Sequence, residues 1–94
     1  MNQEELVSRM DRLSEGNLPL LETVELFVYL LNTPQTLSRM SQSMQRNALM
    51  FAGTDFILAD PITGEHRVNR LAVEIELLTQ ARLGFDEREE ASQF

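Results

Sequence analysis

The sequence has no cysteine, no lysine and no tryptophan, and only one histidine. Without cysteine there are no disulfides and no thiolate metal sites, and the redox compartment stays open. His66 alone does not build a multi-histidine metal site, and no Ser–His–Asp or His–Cys spacing accompanies it. Gly16, Gly53, Gly64 and Gly84 stand far apart, so there is no glycine-rich phosphate loop. No apolar run approaches the ~18–20 residues needed to span a bilayer. The segment from Asp55 to Glu65 lacks the alternating oxygen ligands of a calcium loop. The opening MNQEEL is acidic and has no basic start or apolar stretch of a secretory leader. These absences set the expectation of a cytoplasmic protein that is not an enzyme and holds no cofactor.

What is present is an acidic, moderately apolar chain. Its 94 residues fit one domain. Hydrophobic content of 43% is enough for a core and argues against wholesale disorder. The formal net charge is -7, which opposes direct binding to nucleic acid and favours a basic partner. Acids are unevenly spread: none falls between Glu25 and Asp55, a stretch holding Arg39 and Arg46, whereas Asp86, Glu87, Glu89 and Glu90 crowd the end. All eight cations are arginine. That fits coding bias, or selection for bidentate, stacking cations.

Local patterns predict an all-α fold of three or four helices. Asn2 and Glu5 form a capping-box-like start, and Leu6, Met10 and Leu13 recur at helical spacing up to Gly16, giving a helix over about residues 3–14. Pro19 opens a second helix. Its faces carry Leu20, Val24, Phe27, Val28 and Leu31, widened by Leu21, Leu26 and Leu30, and only a narrow polar strip of Glu22, Glu25, Tyr29 and Asn32 remains. So much apolar circumference exceeds a surface helix's usual stripe. The helix is therefore central, or Leu21, Leu26 and Leu30 meet a second subunit in a homo-oligomer, with a dimer expected. Thr33-Pro34 starts a third helix that runs to Gly53, with Leu37, Met40, Met44, Ala48 and Phe51 on one face. Asp60-Pro61-Ile62-Thr63-Gly64 reads as a turn. Residues 55–68 around it form either a short β-hairpin or an extended loop. A fourth helix follows over about residues 65–83, with a core stripe of Val68, Leu71, Ala72, Ile75 and Leu78 and Gly84 as its cap. Residues 1–84 then make one helical domain, and residues 85–94 an acidic, mobile tail unless Phe85 or Phe94 docks.

Two polar surfaces are candidate contacts. Thr33, Arg39, Gln42 and Arg46 combine a helix start with cations in the acid-free stretch, an arrangement suited to an anion or a partner. A solvated helix face explains the same residues. Asp86, Glu87, Glu89 and Glu90 are the candidate acidic contacts to a basic protein. Glu22 and Glu25, three apart, either pair for acid–base work or form a solvated strip. The methionines Met40, Met44 and Met50 are core filling or an adaptable surface. His66 is a solvent-facing or helix-starting residue, or a pH-sensitive contact.

The run Glu15-Gly16-Asn17-Leu18, then Glu22-Thr23-Val24-Glu25-Leu26-Phe27-Val28-Tyr29-Leu30 and Asn32-Thr33, resembles a family of short acidic proteins of tailed bacteriophages. Arg46-x-Ala48 and Gly53 extend the likeness over about residues 4–54, although the family's aromatic early in helix three is Leu37 here and its glycines in that helix are Ser41 and Ser43. The family is uncharacterised and carries over no site residues. The resemblance implies a phage-encoded protein in the host cytoplasm. The expected role is inhibition of a host factor, foremost an antiviral defence component, by occupying a basic protein surface. The alternatives are a small-anion binder, such as a sponge for a nucleotide signal, using the helix-three arginines, and a phage structural or assembly protein.

Overall fold

In the computed structural model, the backbone is described for residues 1–92 and the side chains for residues 1–84. The fold is mostly helical. The described residues form five helices, α1 (Gln3–Ser14), α2 (Leu20–Leu31), α3 (Pro34–Leu37), α4 (Gln42–Ala52) and α5 (Arg70–Ser92), and a two-stranded hairpin of β1 (Ile57–Ala59) and β2 (His66–Val68) between α4 and α5.

Local chemistry sets most boundaries. The Asn2 side chain accepts from the Glu5 N–H at 2.8 Å and caps α1. At the other end Gly16 adopts φ +74°. Asn17 N–H then reaches back to Arg12 C=O at 2.8 Å and Gly16 N–H to Leu13 C=O at 3.1 Å, closing the helix in a Schellman motif. Pro19 immediately precedes α2, and the buried Thr23 hydroxyl donates to the carbonyls of Pro19 and Leu18.

The predicted third helix is broken in two. Pro34 fills the first position of α3, which ends after one turn. The Ser41 hydroxyl accepts from Met44 N–H and starts α4 afresh. Between them Gln45 donates to the carbonyls of Met40 and Ser38, satisfying groups that a continuous helix would have bonded itself. The side chains of Leu37, Met40, Met44 and Phe51 still reach the core across the break, so the apolar pattern survives where the helix does not.

The hairpin forms, in the register Ile57 to Val68, Leu58 to Arg67 and Ala59 to His66. Its turn uses Asp60 as anticipated. The Asp60 carboxylate accepts from Ile62 and Thr63 N–H at 2.8 and 3.1 Å, Asp60 C=O accepts from Gly64 N–H at 2.8 Å, and Gly64 sits at φ +75°. The other edge of β2 is closed by a side chain. Asn32, at the end of α2, donates to His66 C=O at 2.8 Å and accepts from His66 N–H at 2.7 Å, acting as a one-residue strand partner. Two strands alone are marginal, and this clamp, together with buried Ile57, fastens them to α2.

The backbone N–H groups of Ile62 and Thr63 hold the Asp60 carboxyl below its usual range, with exposed Arg67 adding to the effect. A depressed folded pKa means that this carboxylate supports the turn above the unfolded value of 3.8 and ceases to as pH falls through the folded value. An amide NMR titration should therefore show Ile62 and Thr63 shifting together at a pH below 3.8, and Asp60→Asn should abolish that transition. Ile62 and Thr63 shifts that ignore pH would rule out the contact.

The core sits around α2. Val24, Leu26, Phe27 and Leu30 are buried to within 1% of complete, joined by Leu6, Ala48, Ile57 and Val73 from α1, α4, β1 and α5. Phe27 stacks on Phe51 with centroids 4.7 Å apart. This corrects the reading of α2 as an oligomer face. Leu26 and Leu30 are sealed by the chain's own elements, and Leu21 packs against the same cluster. The wide apolar circumference marks a central helix, the other alternative of the sequence reading.

The last helix also departs from expectation. Asn69 donates to Asp55 C=O through its side chain and to Phe56 C=O through its backbone, and its Oδ1 lies 3.5 Å from Ala72 N as a cap. That tie fixes how α5 leaves the hairpin. It turns Val73 into the core, not the stripe of Leu71, Ile75 and Leu78, which is exposed. Val68 belongs to β2 and, like Ala72, is half-buried. Gly84 lies within α5 and does not end it. A helical glycine costs about 1 kcal/mol relative to alanine, and glycine at that position is tolerated where nothing else ends the helix. Whether Phe85 or Phe94 docks lies outside the described side chains.

Candidate functional site

The sequence-predicted anion site is not assembled as expected. Thr33 precedes α3 without a side-chain capping bond, and α3 is a single turn. Arg39 lies in the segment between α3 and α4, while Gln42 and Arg46 lie one turn apart on α4, all three exposed. The continuous helix that would have set Arg39 and Arg46 on one face is not formed. Arg39 instead edges a cleft of about 340 Å³ between α1, α2 and α3, beside Tyr29, Met10, Thr36 and Met40. Asp86, Glu87, Glu89 and Glu90 fall on α5, and their side chains lie outside the described residues.

Glu22 and Glu25 are each bound by an arginine of α1. Arg12 binds Glu22 in two-pronged fashion at 3.3 and 3.4 Å, and Arg9 binds Glu25 at 3.2 Å. These are the two ion pairs among the described residues. They join α1 to α2 and consume the cations of α1. Each is partly exposed and worth roughly 0.2–1 kcal/mol.

That pairing has an electrostatic consequence on the other side of α1. Glu4, Asp11 and Glu15, spaced seven and four residues apart, line one exposed stripe with Ser8 and Val7. Arg12 borders the same stripe, but it is paired with Glu22 and Arg9 with Glu25, so both cations of α1 are offset by carboxylates of α2. The spacing of Glu4, Asp11 and Glu15 was legible from sequence. The pairing of Arg9 and Arg12 with carboxylates of α2 was not, because it depends on how α1 lies on α2.

A second surface is apolar. On α5, Leu71, Ile75 and Leu78 are 67%, 55% and 71% exposed, and on α4 Leu49 and Met50 are each 68% exposed. Met40 and Met44 fill the core margin, so of the methionines of this region only Met50 is an exposed surface residue. His66 lies in β2, half-buried, with its Nδ1 shielded and without a hydrogen-bond partner among the described residues. It is neither solvent-facing nor a helix start.

Among the described residues no three His, Asp or Glu side chains gather closely enough to hold a metal ion. No helix there is long and apolar enough to cross a membrane. What the surface offers is contact chemistry: a carboxylate stripe, an apolar helix face and a cleft with one arginine. Comparison with protein-family models, with curated proteins and with solved structures gives no match to this chain.

Proposed function

We propose that the chain is a small phage-encoded binding protein, working in the host cytoplasm, that inhibits a host factor by occupying a basic protein surface. A component of antiviral defence is the foremost class of target. The observation that carries this reading is the stripe of Glu4, Asp11 and Glu15, exposed on α1 while Arg9 and Arg12 are tied to α2. The net charge of -7 acts in the same direction, steering the molecule toward positive surfaces. The resemblance of residues 4–54 to short acidic phage proteins supplies the phage origin.

A protein captured on the immobilised chain from host lysate and then purified allows the test. Its binding should weaken as salt rises, since screening shortens the reach of charge to about 8–10 Å near physiological ionic strength. Reversal of Glu4, Asp11 and Glu15 to arginine should slow association by an order of magnitude or so, more than it speeds dissociation. Association rates indifferent to both salt and reversal would exclude the basic-surface reading.

The cleft beside Arg39 supports a second reading, capture of a small anionic ligand. Here the charge reversal on α1 should be neutral, and Arg39→Ala should abolish ligand release from the denatured complex.

A further inference from the structure

We infer that the cleft beside Arg39 binds a small acid that carries one carboxylate on a single aromatic ring. This inference rests on the small-anion reading of the cleft and names its ligand. It is independent of the basic-surface reading of α1. Four polar side chains converge on the cleft from separate elements: Gln3 from α1, Tyr29 from α2, Thr36 from α3 and Arg39 from the segment after α3. None of the four makes a side-chain hydrogen bond or ion pair among the described residues. The two ion pairs there engage Arg9 and Arg12, and the side-chain bonds around α3 and α4 engage Ser38, Ser41 and Gln45. A few convergent polar groups over an apolar floor are the make-up of a small-molecule pocket.

The polar groups select the charge of the ligand. All four can donate: a guanidinium, two hydroxyls and an amide. No carboxylate lines this cleft, in a chain with fifteen acids against eight cations. The clefts on the outer side of α1, beside Phe56 and at the hairpin turn are each lined by acids, among them Asp11, Asp55 and Glu65. An anionic group is therefore the complement of the Arg39 cleft, and the planar fork of the arginine fits a carboxylate in two-pronged fashion. One cation offsets one charge. The net charge of -7 penalises every further negative group, which disfavours a polyphosphate.

The apolar lining selects the body. Leu6 is buried, and Met10 and Met40 are half-buried at the core margin. Thioethers adapt to irregular shapes and make favourable contacts with aromatic rings, and the Tyr29 ring adds a flat aromatic surface. Size sets the limit. The space of about 340 Å³ is room for roughly 11 water-sized atoms, at the ~30 Å³ of liquid that each water takes. That is one ring with a short acid arm, and less than a nucleotide. The ring lies against the methionines, and the carboxylate lies at the rim with exposed Arg39. A free acid and the terminal residue of a peptide both present this chemistry.

An NMR titration with phenylacetate tests it. The acid should shift the Met10 and Met40 methyl resonances saturably. Phenylacetamide, which lacks the charge, and acetate, which lacks the ring, should each bind roughly tenfold more weakly. Arg39→Gln should bring phenylacetate down to the affinity of the amide and leave the amide's own binding unchanged, since Arg39 is exposed and carries no core packing. Val7→Asp, at a rim position that is 50% exposed, should weaken the acid roughly tenfold and spare the amide. A short peptide ending in phenylalanine separates the two sources: tighter binding than phenylacetate assigns the site to a chain end, weaker binding to a free acid, and either supports it. Phenylacetate that moves neither methyl, or whose advantage over the amide survives Arg39→Gln, overturns the inference. Acetate or inorganic phosphate binding as tightly as phenylacetate also overturns it, while leaving the small-anion reading intact. If none of these anions shifts either methyl, both fall.

Discussion

Leu26→Asp should leave the chain unfolded at room temperature. Leu26 is fully buried at the centre of α2, so the substitution removes core packing and places an unpaired carboxylate where water does not reach. Truncating a buried leucine alone costs about 2–5 kcal/mol, and an uncompensated buried charge adds several more. The total stability of a domain this size is only about 5–14 kcal/mol. Circular dichroism and a one-dimensional proton spectrum would report the loss. A well-folded Leu26→Asp protein with a wild-type thermal midpoint would mean that Leu26 faces outward after all, as a subunit contact would require.

Phe27→Ala should be the costliest simple truncation. The ring is 1% exposed and stacked on Phe51 at 4.7 Å, so its removal opens a void between α2 and α4 and deletes an aromatic pair. The expected loss is about 3–5 kcal/mol. In urea that lowers the midpoint by roughly 2–4 M for a small domain. Phe51→Ala should cost clearly less, because Phe51 is only half-buried. Equal losses at the two positions would place the centre of the core between the helices and not on α2.

The elements read correctly from sequence are those fixed by neighbouring residues. Asn2 and Gly16 bracket α1 through bonds within a few positions. Asp60 and Gly64 shape the hairpin turn in the same local way. The readings that failed needed information from distant parts of the chain. The apolar excess of α2 was visible, but its cover comes from α1, α4, β1 and α5, so Leu26 and Leu30 could be assigned to a subunit contact. The third helix showed unbroken periodicity, because Leu37, Met40 and Met44 stay on the core side even though the backbone breaks between α3 and α4, where Ser41 caps the new helix and Gln45 bonds the freed carbonyls.

The stripe on α5 failed for a related reason. Leu71, Ile75 and Leu78 have the spacing of a core face, and spacing does not say whose core. The rotation of α5 is set by Asn69 anchoring to Asp55 and Phe56, a contact across the hairpin that no helical pattern encodes. The same is true of Asn32, which reads as one polar residue at a helix end and serves as the partner of β2. The carboxylate stripe of α1 lay between these cases: its residues were legible, the pairing of the neighbouring arginines with α2 was not.

The central claim, that the acidic surface of this chain meets a basic protein, is tested most directly by the association rate of the captured partner measured across a salt series. The account predicts that association slows as salt rises and slows again when Glu4, Asp11 and Glu15 are reversed to arginine. Association rates indifferent to both would contradict it.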